Sequence, residues 1–156
     1  MDPSSAQLAL PITFLTQSSE ETEEVGKSIA DMLGIGDVIC LTGDLGAGKT
    51  TLVKGLVQKI TGISAEEVVS PTFTYLNIYP GLTTIYHFDL YRLSSGEEFL
   101  QAGFHEFLEA PGICCIEWPD RLPDKLDIRK IFIHIEYLSA KERKITLRRT
   151  NAPILS

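Results

Sequence analysis

The sequence predicts an α/β fold in which helices flank one mixed β-sheet. Strand-like apolar runs alternate with segments of helical periodicity, which is typical of parallel strands joined by helices. Other strand-like runs are separated only by short turns, which favour antiparallel pairs. The length of 156 residues suits one domain with a sizeable core. We therefore expect a single domain over residues 1–156, with its core at about 12–149.

The N-terminal part of the chain predicts an edge strand followed by a helix. Residues 12–15 form a short apolar run, and Ser18 or Ser19 is a suitable N-cap for the next segment. Apolar residues then recur at helical spacing. They predict a buried helical stripe of Val25, Ile29 and Met32.

The remaining elements follow from the same periodicities. Residues 38–42 are a continuous apolar run, as expected for a strand buried on both faces, and residues 51–60 have the spacing of an amphipathic helix. Residues 72–79 and 83–88 predict a β-hairpin around a short Pro-Gly turn. The other predicted elements are a helix at 95–108 with a break at Gly103 and strands at 112–117, 128–137 and 144–148.

The charge of the chain argues against a protein that binds nucleic acid on its own. The formal net charge is −7, from 14 basic and 21 acidic residues, whereas affinity for nucleic acid depends on neutralised phosphates. Basic residues nevertheless gather toward the C-terminus. A solvated face is the simpler interpretation, and a docking patch for an acidic partner or RNA is the alternative. These residues are Lys125, Arg129, Lys130, Lys141, Arg143, Lys144, Arg148 and Arg149.

The apolar runs, the N-terminal segment and the cysteines are all those expected of a cytoplasmic protein. No apolar run approaches the length of a membrane span, and no basic segment leads into an apolar stretch near the N-terminus. We therefore expect a cytoplasmic protein with no membrane attachment. Cys40, Cys114 and Cys115 lie in strand-like apolar runs, so we interpret them as buried structural thiols, with a redox pair at the last two as the alternative.

A glycine-rich loop lies between a predicted strand and a predicted helix. Its spacing, Gly43-x-x-x-x-Gly48-Lys49-Thr50, is that of the phosphate-binding loop, or P-loop. Glycines allow positive φ, so that successive N–H groups point at an anion beside the positive end of the helix. In this motif the lysine reaches the β- and γ-phosphates, and the threonine hydroxyl ligates magnesium. The predicted fold is therefore a P-loop NTPase-like domain.

The residues predicted to contact the nucleotide extend one position beyond the motif, because Thr51 can reach the α-phosphate. They are Gly43, Asp44, Leu45, Gly46, Ala47, Gly48, Lys49, Thr50 and Thr51. A dinucleotide-binding loop fits poorly, since Thr51 stands where a third small glycine is needed. A mere glycine-rich turn is disfavoured because an apolar strand precedes the loop and an amphipathic helix follows it.

Two acidic residues follow buried strand-like runs. A P-loop site needs such an acid at a strand end to hold magnesium or its water shell. Glu117 follows the apolar run at 113–116, and Asp89 follows a similar run at 85–88. We predict a function for both carboxylates, and with Lys49 they are the predicted catalytic residues. The sequence leaves open which of the two contacts the metal directly.

Four further side chains have positions in the sequence that suggest a role. Thr72 lies where a threonine senses the γ-phosphate in switch-type NTPases. His87, on an apolar strand, is interpreted as a core or surface histidine rather than a base. Arg92 could pair with Asp89 or contact a phosphate. Trp118 could pack in the core or present an aromatic surface to a partner.

Four strings occur in order along the chain: GDLGAGKTT at 43–51, SPTFT at 70–74, HFDLYRL at 87–93 and IEWP at 116–119. Together they resemble the TsaE (YjeE) family, small bacterial ATPases needed to make threonylcarbamoyladenosine in tRNA. The resemblance runs from about residue 18 to residue 148. Phe73 departs from the tyrosine that is common at its position in the family, without affecting the chemistry.

The resemblance implies an ATPase that uses ATP and Mg²⁺ and supports the catalytic cycle of the TsaD and TsaB proteins. By this likeness Thr50 and Glu117 would bind Mg²⁺, Thr72 would lie in the switch segment, and Asp89 would be a second active-site acid. The segment at 16–19 would lie close to adenine. Contact with tRNA would be indirect at most.

Other nucleotide-dependent functions remain as alternatives. A small-molecule P-loop kinase would need an arginine-bearing lid, and Arg121 is the only lysine or arginine between Arg92 and Lys125. A non-hydrolysing module that signals by ordering its switch segment is a second alternative. A GTPase is disfavoured because the chain has no N-K-x-D string to read guanine.

Overall fold

The computed structural model describes residues 11–149 apart from 45, 125 and 127, and within this range its central feature is a mixed β-sheet of seven strands. Leu45 and Lys125 therefore lie outside the described residues, as do both ends of the predicted domain at 1–156, whose extent stays a prediction. The strands in chain order are β1 (Ile12–Thr16), β2 (Val38–Gly43), β3 (Leu76–Tyr79), β4 (Ile85–Asp89), β5 (Ile113–Glu117), β6 (Lys130–Tyr137) and β7 (Arg143–Arg149).

Helices cover both faces of this sheet. In the described ranges the α-helices are α1 (Ser19–Ala30), α2 (Lys49–Thr61), α3 (Gly96–Gln101) and α4 (His105–Glu109), with single 3-10 turns at Ala65–Glu67 and Pro119–Arg121. None of the helices described is long and apolar enough to cross a membrane.

Parallel and antiparallel pairs occur in different parts of the sheet, whose strand order is β1-β7-β6-β2-β5-β4-β3. The central strand β2 is parallel to both β5 and β6, and β5 is parallel to β4. The β1–β7, β6–β7 and β3–β4 pairs are antiparallel. The predicted mixed sheet and α/β class are thus confirmed. Because parallel strands end at one edge, the carboxyl ends of β2, β4 and β5 meet there.

Helices α1 and α2 pack against one face of the sheet and closely against each other. Two glycines permit this approach. A Cβ atom at Gly26 would lie 2.3 Å from the Leu52 carbonyl oxygen, and one at Gly55 would lie 2.0 Å from the Glu23 carbonyl oxygen. No real Cβ atom tolerates such distances, so α1 and α2 can pack this closely only with glycine at both positions. The helix that follows the P-loop is thereby held in place.

The opposite face of the sheet carries α3 and α4 and an aromatic cluster. Phe88 of β4 is fully buried, and its ring centroid lies 6.0 Å from Phe99, 5.5 Å from Phe104 and 6.1 Å from Phe107. These tilted and edge-on arrangements are the ones that aromatic pairs prefer. The cluster anchors the strand that ends at Asp89.

The first helix begins where the sequence predicts but ends earlier than its apolar pattern suggests. The Ser18 hydroxyl accepts a hydrogen bond from the Glu21 N–H at 3.1 Å, so Ser18 is the N-cap. The helix ends at Ala30, and Met32 lies beyond it with 39% of its surface exposed. The prediction that Met32 belongs to the buried stripe is therefore wrong, whereas Ile29 is buried.

The two largest further differences from the prediction concern β3 and the helix predicted at 95–108. Strand β3 begins at Leu76 rather than at residue 72, because residues 72–75 form a turn that ends at Tyr75 with a φ of 66°. The helix predicted at 95–108 is two short helices, α3 and α4. They are separated at Gly103, whose φ of 79° favours glycine and accounts for the predicted break.

The three cysteines are buried and unpaired. Burial raises the pKa of Cys40 to about 11 and that of Cys114 to about 12. Burial also raises the pKa of the Cys115 thiol well above its usual value. Thiols with such pKa values stay protonated at neutral pH and react poorly. The cysteines are therefore structural, as their apolar surroundings in the sequence predict.

Candidate functional site

The glycine-rich loop connects the end of β2 to the start of α2, and its glycines adopt backbone angles that other residues rarely adopt. The φ angles are 148° at Gly43, 79° at Gly46 and 110° at Gly48. Gly43 also has no room for a side chain, since a Cβ atom would lie 2.6 Å from the Ile135 carbonyl oxygen. Gly48 is the N-cap of α2 and has no side chain with which to bond the first N–H groups. Those groups are left for an anion.

Lys49 lies across this loop. Its side chain is buried, with 6% of the residue exposed, and its Nζ donates a hydrogen bond to the Gly43 carbonyl oxygen at 2.7 Å. The same ammonium group lies 5.0 Å from the centroid of the Trp118 ring. Lys49 therefore joins the two ends of the loop and sets a positive charge beneath an aromatic face.

The two predicted acids lie side by side at the carboxyl edge of the sheet. Asp89 and Glu117 are register partners in the parallel strands β4 and β5, and Glu117 is also paired with Leu41 of β2. Both acids are largely buried, with 6% of Asp89 and 4% of Glu117 exposed. The β4–β5–β2 arrangement explains how acids far apart in the chain reach the P-loop.

Hydrogen bonds fix the orientation of Asp89. Its Oδ2 accepts from the Ser70 hydroxyl at 3.2 Å, and its Oδ1 accepts from the Tyr91 N–H at 3.0 Å. The Ser70 hydroxyl also lies 3.2 Å from the Thr72 hydroxyl. Asp89 and the segment that contains Thr72 are therefore connected through Ser70.

A histidine fixes the orientation of Glu117. His87 is fully buried, and its Nε2 lies 2.6 Å from Glu117 Oε2. The placement of His87 in the core agrees with the sequence interpretation. Its bond to a predicted site residue was missed, because nothing in the sequence relates residues 30 positions apart on two different strands.

The P-loop, Lys49 and the two acids line one cavity of about 370 Å³. Its lining comprises Gly46, Gly48, Lys49, Thr50, Thr51, Ser70, Thr72, Asp89, Tyr91, Glu117 and Trp118. Most of the predicted site residues thus surround the same space. Gly43 lies behind Lys49, Ala47 is fully buried, and Asp44 does not line the cavity.

A second cavity, of about 390 Å³, lies on the other side of the P-loop. The two cavities share Gly46, Gly48 and Thr51, so one elongated ligand could occupy both. The other lining residues of the second cavity are Gln17, Ser18, Ser19, Thr22, Ala47, Ala140, Lys141 and Arg143. Residues 17–19 are part of the segment that the resemblance places near adenine.

The β6–β7 hairpin braces the P-loop from this second side. The Tyr137 hydroxyl donates to the Gly46 carbonyl oxygen at 2.6 Å, and Arg143 Nε donates to the Ala47 carbonyl oxygen at 3.0 Å. The Arg143 guanidinium lies 4.0 Å from the centroid of the Tyr137 ring. The sequence contains no signal for this brace, because the loop contributes only backbone carbonyls to it.

Two aromatic side chains, Tyr91 and Trp118, line the first cavity. Trp118 has a φ of 60°, which is strained for a bulky residue, and its ring centroid lies 4.8 Å from that of Tyr91. Arg92 lies over the exposed Phe73 ring, 4.6 Å from its centroid, and forms no ion pair with Asp89. The salt-bridge interpretation of Arg92 is therefore wrong.

Comparison with known proteins gives a consistent result. The chain matches the family described as "Threonylcarbamoyl adenosine biosynthesis protein TsaE" over residues 16–145. It is 40% identical over 133 residues to the tRNA threonylcarbamoyladenosine biosynthesis protein TsaE of Treponema pallidum, covering 85% of this chain and 97% of the relative. The protein of that name from Bacillus subtilis is 38% identical over 137 residues, covering 86% of this chain and 84% of the relative.

A solved structure extends the similarity to the fold. The crystal structure of Bacillus subtilis YdiB matches with a TM-score of 0.73 and 32% sequence identity, covering 91% of this chain and 87% of that one. The family match spans both the P-loop and the two strand-end acids. The chain therefore belongs to the TsaE family, which takes part in the biosynthesis of threonylcarbamoyladenosine in tRNA.

Proposed function

We propose that this protein is a Mg²⁺-dependent ATPase that supports threonylcarbamoyladenosine modification of tRNA together with TsaD and TsaB proteins. The observation that carries the proposal is the convergence of the P-loop with Thr72, Asp89 and Glu117 on one cavity. Phosphoryl transfer needs positioning and charge stabilisation more than covalent chemistry from the protein. A P-loop lysine, a switch threonine and two buried acids supply those functions.

The residues at the cavity suit Mg²⁺, which prefers oxygen ligands and is usually bound by one or two carboxylates in addition to phosphates. The Thr50 hydroxyl and the Glu117 carboxylate would hold it. The one hydrogen bond to the Glu117 side chain in the described part of the chain joins Oε2 to His87, so Oε1 has none there. Both oxygens of Asp89 already accept hydrogen bonds, so we assign Asp89 to the metal's water shell or the attacking water. When bound, Mg²⁺ would neutralise charge on the β- and γ-phosphates.

The protein's own groups have separable roles in this proposal. The backbone N–H groups at the start of α2 would bind the phosphates, and Lys49 would leave the Gly43 carbonyl to contact the β- and γ-phosphates. Thr51 would lie near the α-phosphate. Thr72, bonded through Ser70 to Asp89, would sense the γ-phosphate. Loss of that phosphate would then be communicated to the segment that precedes β3.

The second cavity is the proposed adenine site. It continues from the phosphate loop and lies between residues 17–19 and the β6–β7 hairpin at Ala140 and Lys141. Thr16 is buried, and its hydroxyl lies 2.9 Å from the Thr22 hydroxyl. This contact orders the start of α1, so Thr16 would not contact the base itself. The base would thus be bound between two elements that also contact the loop.

The proposed partners follow from membership of the family. As an ATPase that does not itself transfer threonylcarbamoyl, the protein would hydrolyse ATP slowly alone and faster with TsaD and TsaB. Its contact with tRNA would be indirect at most, in keeping with a net charge of −7. We place the protein in the cytoplasm, where tRNA is modified.

The proposal is tested by measuring phosphate release from ATP and Mg²⁺, with the protein alone and with TsaD and TsaB. We expect slow release alone and a clear increase with both partners. The same rate with and without partners would contradict activation, and no release in either case would favour a non-hydrolysing module. Phosphorylation of a metabolite would favour a kinase, although Arg121 pairs with Asp120 at 3.0 Å and does not line the cavity.

A further inference from the structure

We propose that His87 is a positioning residue that holds the Glu117 carboxylate with one oxygen directed to the metal side of the cavity. The proposal rests on the proposed function, because it assumes that Glu117 binds Mg²⁺. His87 does not itself line the cavity, but it bonds to Glu117, which does. His87 acts only through Glu117.

Strand geometry places His87 directly beneath the acids. His87 and Asp89 are two residues apart on β4 and therefore share a face, as do Cys115 and Glu117 on the neighbouring parallel strand. His87 is paired in register with Cys115, so its side chain lies one step deeper than the Asp89–Glu117 pair. From there its Nε2 reaches Glu117 Oε2 at 2.6 Å.

The burial of His87 would be costly if the residue only filled space. No part of it is exposed, and its buried Nδ1 has no hydrogen-bond partner among the described residues. An apolar residue of similar size would avoid the cost of burying that nitrogen. The bond to Glu117 is the one hydrogen bond that the described part of the chain provides to the ring, so it accounts for a histidine here.

The bond divides the two oxygens of Glu117 between separate tasks. A carboxylate that binds Mg²⁺ only accepts hydrogen bonds, so in this proposal Nε2 carries the hydrogen and Oε2 accepts it. No hydrogen bond to Oε1 occurs among the described residues, and Glu117 lines the cavity. Partners of this kind orient metal-binding carboxylates, and their substitution typically costs about 10- to 100-fold in metal affinity or activity. His87 would thus make Glu117 a one-oxygen ligand of fixed direction.

Two nearly isosteric variants test this assignment. The glutamine amide of His87→Gln reaches roughly the position of Nε2, whereas the shorter amide of His87→Asn reaches roughly that of Nδ1. Calorimetry would measure the affinity for a non-hydrolysable ATP analogue with Mg²⁺ and with EDTA. We expect the Mg²⁺-dependent gain in affinity to fall about tenfold in His87→Asn and to be largely retained in His87→Gln. Affinity in EDTA should be the same in both.

Controls separate positioning from a general disturbance of the core. Cys115→Ala alters the buried residue that pairs with His87 but leaves the His87–Glu117 hydrogen bond in place, so it should keep the Mg²⁺-dependent gain. Thermal unfolding of each variant establishes that it is folded. Equal Mg²⁺ dependence in the glutamine and asparagine variants, or a loss in Cys115→Ala as large as in His87→Asn, would overturn the proposal.

Glu117→Gln distinguishes failure of this inference from failure of the proposed function. If Glu117→Gln keeps the full Mg²⁺-dependent gain, Glu117 is not a metal ligand, and both proposals are wrong in this respect. If Glu117→Gln loses the gain while His87→Asn keeps it, only the positioning role of His87 fails. The double variant His87→Asn/Glu117→Gln should lose no more of the Mg²⁺-dependent gain than Glu117→Gln alone. Additive losses would also count against positioning.

Discussion

On one side of the P-loop, β4 and β5 present Asp89 and Glu117, and on the other side the β6–β7 hairpin contacts the loop through Tyr137 and Arg143. The acids are almost fully buried, whereas 46% of Tyr137 is exposed. The acids also reach the cavity with their side chains, while the hairpin bonds to backbone carbonyls of the loop. The side with the acids would therefore take part in the proposed ATP hydrolysis, whereas the hairpin side holds the P-loop in its shape.

This contrast leads to an experimental expectation. Changes on the acid side should lower turnover more than nucleotide affinity, and changes on the hairpin side should lower affinity more than turnover. Substitutions between the two sides should affect both quantities. Four substitutions test the contrast, beginning with the one for which we expect the largest effect.

Lys49→Ala removes the charge that both sides share. Its ammonium lies within the loop and beside Trp118, and charged hydrogen bonds to phosphates are among the strongest in proteins. We expect affinity for ATP to fall about 100-fold, with turnover undetectable at moderate ATP. Titration calorimetry measures the affinity. Lys59→Ala, at the other end of α2 and paired with Asp31 at 3.9 Å, is the control and should bind ATP normally; unchanged affinity in Lys49→Ala would contradict the site assignment.

Glu117→Gln tests the acid side alone. The substitution keeps the shape and removes the negative charge next to the proposed metal position. We expect turnover to fall about 100-fold and affinity for the Mg²⁺–nucleotide complex by no more than about tenfold. Steady-state phosphate release with the partner proteins gives the turnover, and calorimetry gives the affinity. An equal loss of both quantities would remove the proposed difference between the two sides.

Gly55→Ala tests the close packing of α1 against α2, which holds in place the helix that follows the P-loop. A Cβ atom would lie 2.0 Å from the Glu23 carbonyl oxygen, so α1 and α2 must move apart. We expect the free energy of unfolding to fall by about 1–3 kcal/mol, as measured by urea denaturation. Gly34→Ala is the matched control, because among the described residues no atom beyond its chain neighbours lies within 4 Å of its added Cβ. Equal stability of the two variants would show that the helix contact adapts more easily than its geometry implies.

Tyr137→Phe tests the hairpin side and should have the smallest effect. It removes one hydrogen bond, to the Gly46 carbonyl oxygen, and leaves the ring that stacks on Arg143. A loss of about 1 kcal/mol corresponds to an affinity about fivefold lower, with turnover at saturating ATP little changed. Tyr86→Phe, away from both cavities, should have no effect. A larger fall in turnover than in affinity would assign Tyr137 to the chemistry instead.

The sequence by itself determined the fold class, the P-loop and the two strand-end acids. Each of these is encoded in short contiguous strings, because a strand, a loop and a helix start have local spacing that a sequence displays directly. The run that ends at Glu117 is a fully buried strand, and Asp89 ends its neighbour. Errors occurred at element ends, as at Met32, where the apolar spacing continues after the helix has stopped.

Only the tertiary structure decided what supports the site. His87 and Glu117 are 30 positions apart, Tyr137 and Gly46 are 91 apart, and Arg143 and Ala47 are 96 apart. These contacts depend on strand order and register, which place β4 beside β5 and the β6–β7 hairpin beside the loop. An acceptor that is a backbone carbonyl leaves no trace in residue identity, since every residue carries one. For this physical reason the motif predicts the phosphate loop but not the groups that hold it in shape.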